Sequence, residues 1–250
     1  MKWRNNRSLI LFLLVGVIWE ITSRLNMYSS YLLPSPEKVL KSLYFGLVSG
    51  ELLKNILISL GRIGLGFSIS FFLAFVLGIV FGRYKEKFQG YDGFIEVFKN
   101  IPPLSLIPLI ILWFGIGETS KIIIIFLASF FPIFYNIKNG IEDCDIKLIE
   151  VGKSLGFSER EIFRKIILPN GVPSILLGAK IGLGYGFRAI IGAEMIAATS
   201  GMGYYILDAQ QMSRSDKIIC GIILIGIVGY LTDKFFDVFM KGILKGRNIQ

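Results

Sequence analysis

Residues 150–169 read Glu150-Val-Gly-Lys-Ser-Leu-Gly156-Phe-Ser158-Glu-Arg-Glu161-Ile-Phe-Arg-Lys-Ile166-Ile-Leu168-Pro169. Gly156 suits the left-handed C-cap of a first short helix, because a residue without Cβ enters that conformation without steric cost. Ser158 with Glu161 three positions on forms a capping box, in which each side chain satisfies an N–H that the helix start leaves orphaned. A second helix therefore begins here, and Pro169 is expected to stop it where the chain enters an apolar stretch. The pattern predicts a rigid helix-turn-helix with Leu155 and Phe157 at its tip. Apolar side chains at a loop tip point to a partner.

The surroundings of this segment are too apolar for a soluble domain of 250 residues: 53% are hydrophobic and 18% charged, with a mean hydropathy of +0.64. The 27 basic and 18 acidic residues leave a net charge of +9. The basic residues fall between apolar runs rather than on one face, so membrane topology accounts for them better than a nucleic acid does. There is no histidine, and the two cysteines, Cys144 and Cys220, stand far apart. A zinc site, a Ser-His-Asp triad or a disulfide framework has no parts to be built from. No catalytic residue and no metal ligand is expected, and no cofactor on this chain.

A membrane span needs about 20 apolar residues of helix. Six stretches qualify as candidates, 8–23, 63–82, 101–116, 122–137, 175–198 and 218–238, which predicts an all-α polytopic bundle of about six transmembrane helices. The first is read as a retained anchor rather than a cleaved signal, since Trp19-Glu20 replaces a small-residue cleavage site. The third carries Pro102, Pro103 and Pro108, each lacking a backbone donor, and is expected to be kinked or broken and to lie inside the bundle or along a cavity. With six spans, Lys2, Arg4, Arg7, Arg83, Lys85, Lys87, Lys99, the 138–165 segment, Lys241, Lys245 and Arg247 share one side. The other side holds Arg24, Lys38, Lys41, Lys54, Arg62, Lys121, Arg214 and Lys217. That bias, roughly two to one, places both termini and residues 150–169 in the cytoplasm.

Between the first two spans, Pro34-Ser35-Pro36-Glu37 supplies an N-cap, a proline at the first helical position and an acid for the helix dipole. An interfacial helix is expected there, with Val39, Leu40, Leu43, Tyr44 and Leu47 on one face. Residues 1–62 thus form a first span plus an extracytoplasmic amphipathic helix, and residues 63–250 a core with a cytoplasmic loop at about 139–170. Small residues recur at every fourth position as Ser70, Ala74, Gly78 and Gly82, and as Gly178, Gly182 and Gly186. These are packing stripes, and whether they meet within the chain or against a second copy stays open. Lys180, Arg188 and Glu194 lie within the fifth span, where charge is expensive enough to mark function by default. Lys180 can snorkel to an interface. Arg188 either draws an anionic solute along a pathway or makes a buried ion pair or helix-end contact, and Glu194 is expected in a gating or structural hydrogen bond. Glu20 and Arg24 are expected to form a surface pair.

Residues 150–169 also match a family pattern. Glu150, Gly156 six positions later, Ile166 ten beyond and Leu168-Pro169 resemble the "EAA" loop of ABC importer permeases, with Val151 and Gly152 in place of its two alanines. Leu33-Pro-Ser-Pro36, the 101–117 run and Ala193-Glu194-Met195 through Gly203 resemble the branch serving nitrate, sulfonate, taurine and thiamine-precursor importers. The resemblance implies a type I importer permease fold and a bacterial cytoplasmic membrane location. It implies a homodimer, an ATPase subunit that carries ATP and Mg and docks on the loop, and an extracytoplasmic solute-binding protein. The loop residues it marks are Glu150, Val151, Gly152, Leu155, Gly156, Phe157, Ile166, Leu168 and Pro169. The pathway or gating candidates are Arg188, Glu194, Pro102, Pro103 and Pro108. An anionic cargo of aliphatic sulfonate, taurine or nitrate type follows, with a thiamine precursor or another small nutrient as the alternative. The chain holds no nucleotide-binding loop, since Gly115-Ile-Gly-Glu-Thr-Ser-Lys121 lacks the glycine directly before lysine. A stand-alone secondary transporter is disfavoured by the absence of a clear internal repeat.

Overall fold

The computed structural model describes residues 2–25 and 29–245, apart from the side chains of residues 2–9 and 12. The side chains of Lys2, Arg4 and Arg7, and all of Arg247, lie outside what is described. The helices are α1 (Lys2–Arg24), α2 (Pro36–Val48), α3 (Glu51–Arg83), α4 (Lys85–Phe88), α5 (Asp92–Lys99), α6 (Ile107–Phe114), α7 (Glu118–Glu142), α8 (Ile146–Ser154), α9 (Glu159–Ile162), α10 (Leu168–Ala197), α11 (Met202–Gln211) and α12 (Ser215–Lys245). No strand occurs among the described residues. The chain divides into one unit of Met1–Ile58 with Thr199–Val228 and another of Ser59–Ala198 with Gly229–Gln250.

In the first unit α2 forms as its sequence predicts. The Ser35 side chain accepts from the Lys38 N–H, and Pro36 and Glu37 open the helix. Glu37 is exposed, and its pKa is lowered by the hydrogen bond and charge of Lys41. The apolar side of the helix divides by burial. Val39 and Gly46 are buried, whereas Leu40, Tyr44, Leu47 and Val48 are exposed. Gly46 is the point of closest approach, since a Cβ there would lie 2.5 Å from Leu52. The Trp19 indole N–H donates to the Pro34 carbonyl at 3.0 Å, tying α1 to the start of α2.

In the second unit α7 lies between α3 and α10. A Cβ on Gly66, Gly78 or Gly82 of α3 would fall 2.8 Å from Ile125, Ile137 or Ile141 of α7. On α10, Cβ atoms at Gly178, Gly182 and Gly186 would reach Asn136, Ile133 and Ser129 at 2.6, 2.5 and 2.6 Å. The two glycine stripes therefore meet one helix of the same chain. Lipid supplies no hydrophobic drive between helices, so close backbone approach must hold them, and the stiff isoleucine side chains fit where glycine leaves room.

Among the described residues, four helical stretches are long and apolar enough to cross a membrane: Glu51–Arg83, Glu118–Glu142, Glu159–Ala197 and Ser215–Lys245. A bent pair, Lys85–Lys99 with Pro103–Phe114, raises the number to five. An expected sixth span is compatible with α1, a helix of 23 residues on which Ile10, Leu11, Leu13, Leu14, Val15, Val17, Ile18 and Ile21 are exposed. The proline-rich start of the third expected span coincides with a break, where Lys85–Lys99 and Pro103–Phe114 meet at 74°. Pro102 is extended at the break, Pro103 opens a 3₁₀ turn, and Pro108 sits in the first turn of α6. At a helix start the missing N–H has no intrahelical partner to lose, so Pro108 starts a helix rather than kinking one.

Pro169 is a second correction. It does not end the second helix of the 150–169 segment. A π-turn at Phe163–Ile167 joins α9 to α10, with the Leu168 N–H donating to the Phe163 carbonyl, and the helical stretch runs on from Glu159 to Ala197. The π-turn shifts the hydrogen-bond register just before Pro169, which then falls in the first turn of α10, where a proline is tolerated.

Candidate functional site

The 150–169 segment is assembled from local hydrogen bonds. The Asp145 side chain caps α8 by accepting from the Lys147 N–H at 2.9 Å. At the far end the Phe157 N–H donates to the Gly152 carbonyl at 3.0 Å and the Gly156 N–H to the Lys153 carbonyl at 2.9 Å. Gly156 has φ +76°. This is a Schellman motif, which needs the left-handed conformation at its glycine. Ser158 and Glu161 complete the capping box in both directions.

Gly152 fixes how the two arms pack. A Cβ there would lie 2.6 Å from the tip of Ile166 and 3.2 Å from Ile162, so at the second alanine position of the EAA pattern the glycine lets the two arms pack closely, and a larger residue makes the Ile166 side chain shift. Val151, by contrast, is exposed with Ile146, Leu148 and Leu155, the last at 66%. Phe157 is half-buried, and the Lys165 ammonium sits 4.5 Å from its ring centroid. Glu150 is exposed, and Leu168 and Pro169 are half-buried. Cys144 is buried at the head of the segment, and burial pushes its thiol pKa up.

The charges expected inside the membrane separate into three settings. Lys180 reaches Asp237 of α12 at 2.6 Å and Asp233 at 3.4 Å. Arg188 is exposed, and its guanidinium stands 5.8 Å from the Tyr185 ring centroid. Together with Lys180, Tyr230, Thr232 and Asp233 it lines a cleft of about 280 Å³.

Glu194 is 0% exposed and belongs to a buried network. Ser59 Oγ donates to both of its oxygens at 2.8 Å, and Arg62 donates to it at 2.7 Å. Arg62 also forks onto Glu118 with two bonds of 2.6 Å, and Lys121 joins Glu118 at 2.9 Å. Placing Arg62 and Lys121 in loops is thus corrected: they are 5% and 4% exposed and sit on α3 and α7. A flat guanidinium with five donors in a fixed fork can hold one carboxylate with two bonds and still donate to a second, which the three donors of a lysine do less readily. Sequence reasoning missed Arg62, and the one signal for it was the cost of a charge such as Glu194 at membrane depth, which calls for a partner on another helix. The surface pair behaves as expected, with Arg24 to Glu20 at 2.5 Å and both side chains exposed.

A family model described as the binding-protein-dependent transport system inner membrane component matches residues 70–245. The chain is 37% identical over 242 residues to SsuC of Bacillus subtilis, named for transport of aliphatic sulfonates, covering 97% of this chain and 88% of that protein. It is 33% identical to the taurine transport system permease protein TauC of Escherichia coli, covering 93% and 89%. It is also 33% identical to the nitrate import permease protein NrtB of Synechocystis, covering 88% and 82%. In three dimensions it resembles a chain of the inward-facing MetNI methionine ABC transporter, with a TM-score of 0.67 at 16% identity over 78% of this chain and 97% of that one. The shared architecture is that of a type I importer permease. The EAA spacing, the helical bundle and these relatives together make the chain a non-catalytic, membrane-embedded permease subunit of an ABC transporter, a member of the binding-protein-dependent transport system inner membrane components.

Proposed function

We propose that the chain forms the translocation pathway of an importer for a small anion of the sulfonate, taurine or nitrate class, driven by a separate ATPase that docks on residues 150–169. The observation that carries this reading is the segment itself. It is a locked helix-turn-helix with exposed Val151 and Leu155 beside its left-handed Gly156 turn, on a chain one third or more identical to SsuC, TauC and NrtB. A tip that cannot flex transmits force. Closure of an ATPase pair around two such tips would rotate the attached spans between two openings as rigid bodies. On this reading ATP and Mg are held by the ATPase, a solute-binding protein delivers the cargo, and a second copy completes the pathway. The run of Lys and Arg on one side of the spans supports a topology with both termini and the 150–169 segment in the cytoplasm of a bacterial cell.

The pathway assignments follow from burial. Arg188 faces open space in a cleft, which favours its action on a passing anion over a buried ion pair. Glu194 is saturated by Ser59 and Arg62, which favours a structural or gating role. Pro102, Pro103 and Pro108 hold a break beside which a pathway can open.

The test is co-purification with transport. Leu155→Asp is expected to abolish capture of the ATPase subunit while the permease still reaches the membrane. Arg188→Gln is expected to raise the uptake KM for sulfonate with assembly intact. Capture unchanged by Leu155→Asp removes the docking assignment, and loss of assembly in Arg188→Gln removes the pathway role of that residue.

A further inference from the structure

A second cavity, of about 520 Å³, opens beside α7 and is lined by Lys99, Ile101 and Pro103 on one side and by Ile181 and Tyr185 of α10 on another. Its size falls within the range of roughly 300–1,000 Å³ usual for small-molecule sites. Its wall is divided by chemistry. Leu127, Phe131 and Ile181 make an apolar part, and Lys99, Tyr135, Asn136 and Asn139 a polar part.

The polar part has unused capacity. The Lys99 ammonium stands 4.5 Å from the Tyr135 ring centroid, and among the described residues its ion-pair partner is Glu96, 3.8 Å away with both side chains partly or fully open to solvent. A contact that long between open groups is weak and yields readily to a competing anion. The Asn136 amide donates one N–H to the Pro132 carbonyl at 2.8 Å, which leaves its second N–H for a ligand. The Tyr135 hydroxyl is buried and has no hydrogen-bond partner among the described residues. Such a group costs stability until a partner reaches it.

We propose that this cavity is a binding site for a short-chain organic anion, its charged head held by Lys99, Tyr135 and Asn136 and its apolar tail laid against Leu127, Phe131 and Ile181. The proposal rests on the importer reading above and narrows it, since a site with an apolar wall favours an alkanesulfonate over the tail-less nitrate. Burial of apolar tail would add roughly fourfold in affinity per methylene.

The experiment uses the intact permease–ATPase complex without its binding protein and measures calorimetric affinity for methanesulfonate and butanesulfonate. Wild type is expected to prefer butanesulfonate, and Phe131→Ala to flatten that preference. Lys99→Gln and Tyr135→Phe are each expected to weaken both ligands about tenfold or more, the loss of a hydrogen bond to a charged group. Tyr135→Phe should leave the melting temperature of the ligand-free complex unchanged or raised, because it removes an unsatisfied hydroxyl; a purely structural tyrosine would lower it. Affinities unchanged in both polar variants overturn the site. In that case, uptake of sulfonate by the wild-type complex with its binding protein in proteoliposomes still upholds the importer reading. A wild-type complex that takes up no sulfonate, taurine or nitrate overturns that cargo reading and this site together. Repeating the measurement in phosphatidylcholine with and without phosphatidylglycerol separates the remaining source of such chemistry. A variant defect seen only with phosphatidylglycerol assigns the cavity to a lipid headgroup and overturns the proposal.

Discussion

The 150–169 segment and the network around Glu194 are both rigid polar structures in an apolar chain, yet they are specified in different ways. Every bond that shapes the first joins residues close in sequence, from the Schellman pair at Gly156 to the Ser158–Glu161 box. The second joins Ser59 and Arg62 to Glu194 and Glu118 across separations of 135, 132 and 56 residues. The first can be written by local chemistry alone. The second exists only when α3, α7 and α10 are packed, so it reports on the bundle rather than on any one helix. Breaking one should therefore disturb a surface feature, and breaking the other the core of the fold.

The largest effect is expected from Arg62→Leu. It strands Glu194 with Ser59 as its remaining partner of those described above, and removing one member of a buried charge pair costs about 3–5 kcal/mol. Thermal unfolding in detergent should show that loss, and Arg62→Leu with Glu194→Leu should recover most of it, because the pair leaves no stranded charge behind. A double variant as unstable as the single one would mean that the network is not the source of the effect.

Next in size is Gly152→Val. Its side chain cannot clear Ile166, and overpacking of this kind costs about 1–3 kcal/mol. The cost should fall on the segment, so ATPase capture is expected to drop while bundle stability holds. Ile166→Ala in the same chain should restore capture. A fall in global stability instead would show that the segment and bundle form one cooperative unit, against the contrast drawn above.

Ser158→Ala removes an N-cap, worth about 1 kcal/mol. Cys144 offers a readout for it. Its thiol is buried and its pKa is raised by that burial, so at neutral pH less of it is thiolate than of a free cysteine, and maleimide labelling should be slow. Labelling is expected to quicken as pH rises, and to quicken at fixed pH in Ser158→Ala if the segment frays. Equal rates in the two proteins would show that the cap does not govern opening.

The smallest effect is expected from Arg24→Ala. Its partner Glu20 is on the same helix face and both are open to solvent, and such i,i+4 pairs are worth about 0.3–0.5 kcal/mol. A melting shift larger than that of Ser158→Ala would place α1 in a packed setting that its exposed residues do not suggest.

Much of the candidate site was legible because its information is local. A glycine at a C-cap and a serine three residues before a glutamate have one physical meaning wherever they occur, and the turn at Gly156 and the box at Ser158 followed directly. Pro169 misled because a proline is a stop in a helix interior and a start in a first turn, and the π-turn that decides between them has no residue signature. Arg62 and Lys121 misled for a related reason. Hydropathy ends a span where charge begins, so a cation near a span boundary reads as loop unless its partner is known. The glycine stripes announced close packing without naming the helix they pack on.

What the linear order of residues decided on its own was the apolar, helical, membrane-bound character of the chain, the caps and turn of the 150–169 segment, and the family pattern that segment carries. These depend on composition and on neighbours within a few positions. Packing alone decided that both stripes close on α7, that Arg62 forks onto Glu118, and that Glu194 is paired with Arg62. Each of these is a distance between residues far apart in the chain, and such distances are set only once the helices have found one another.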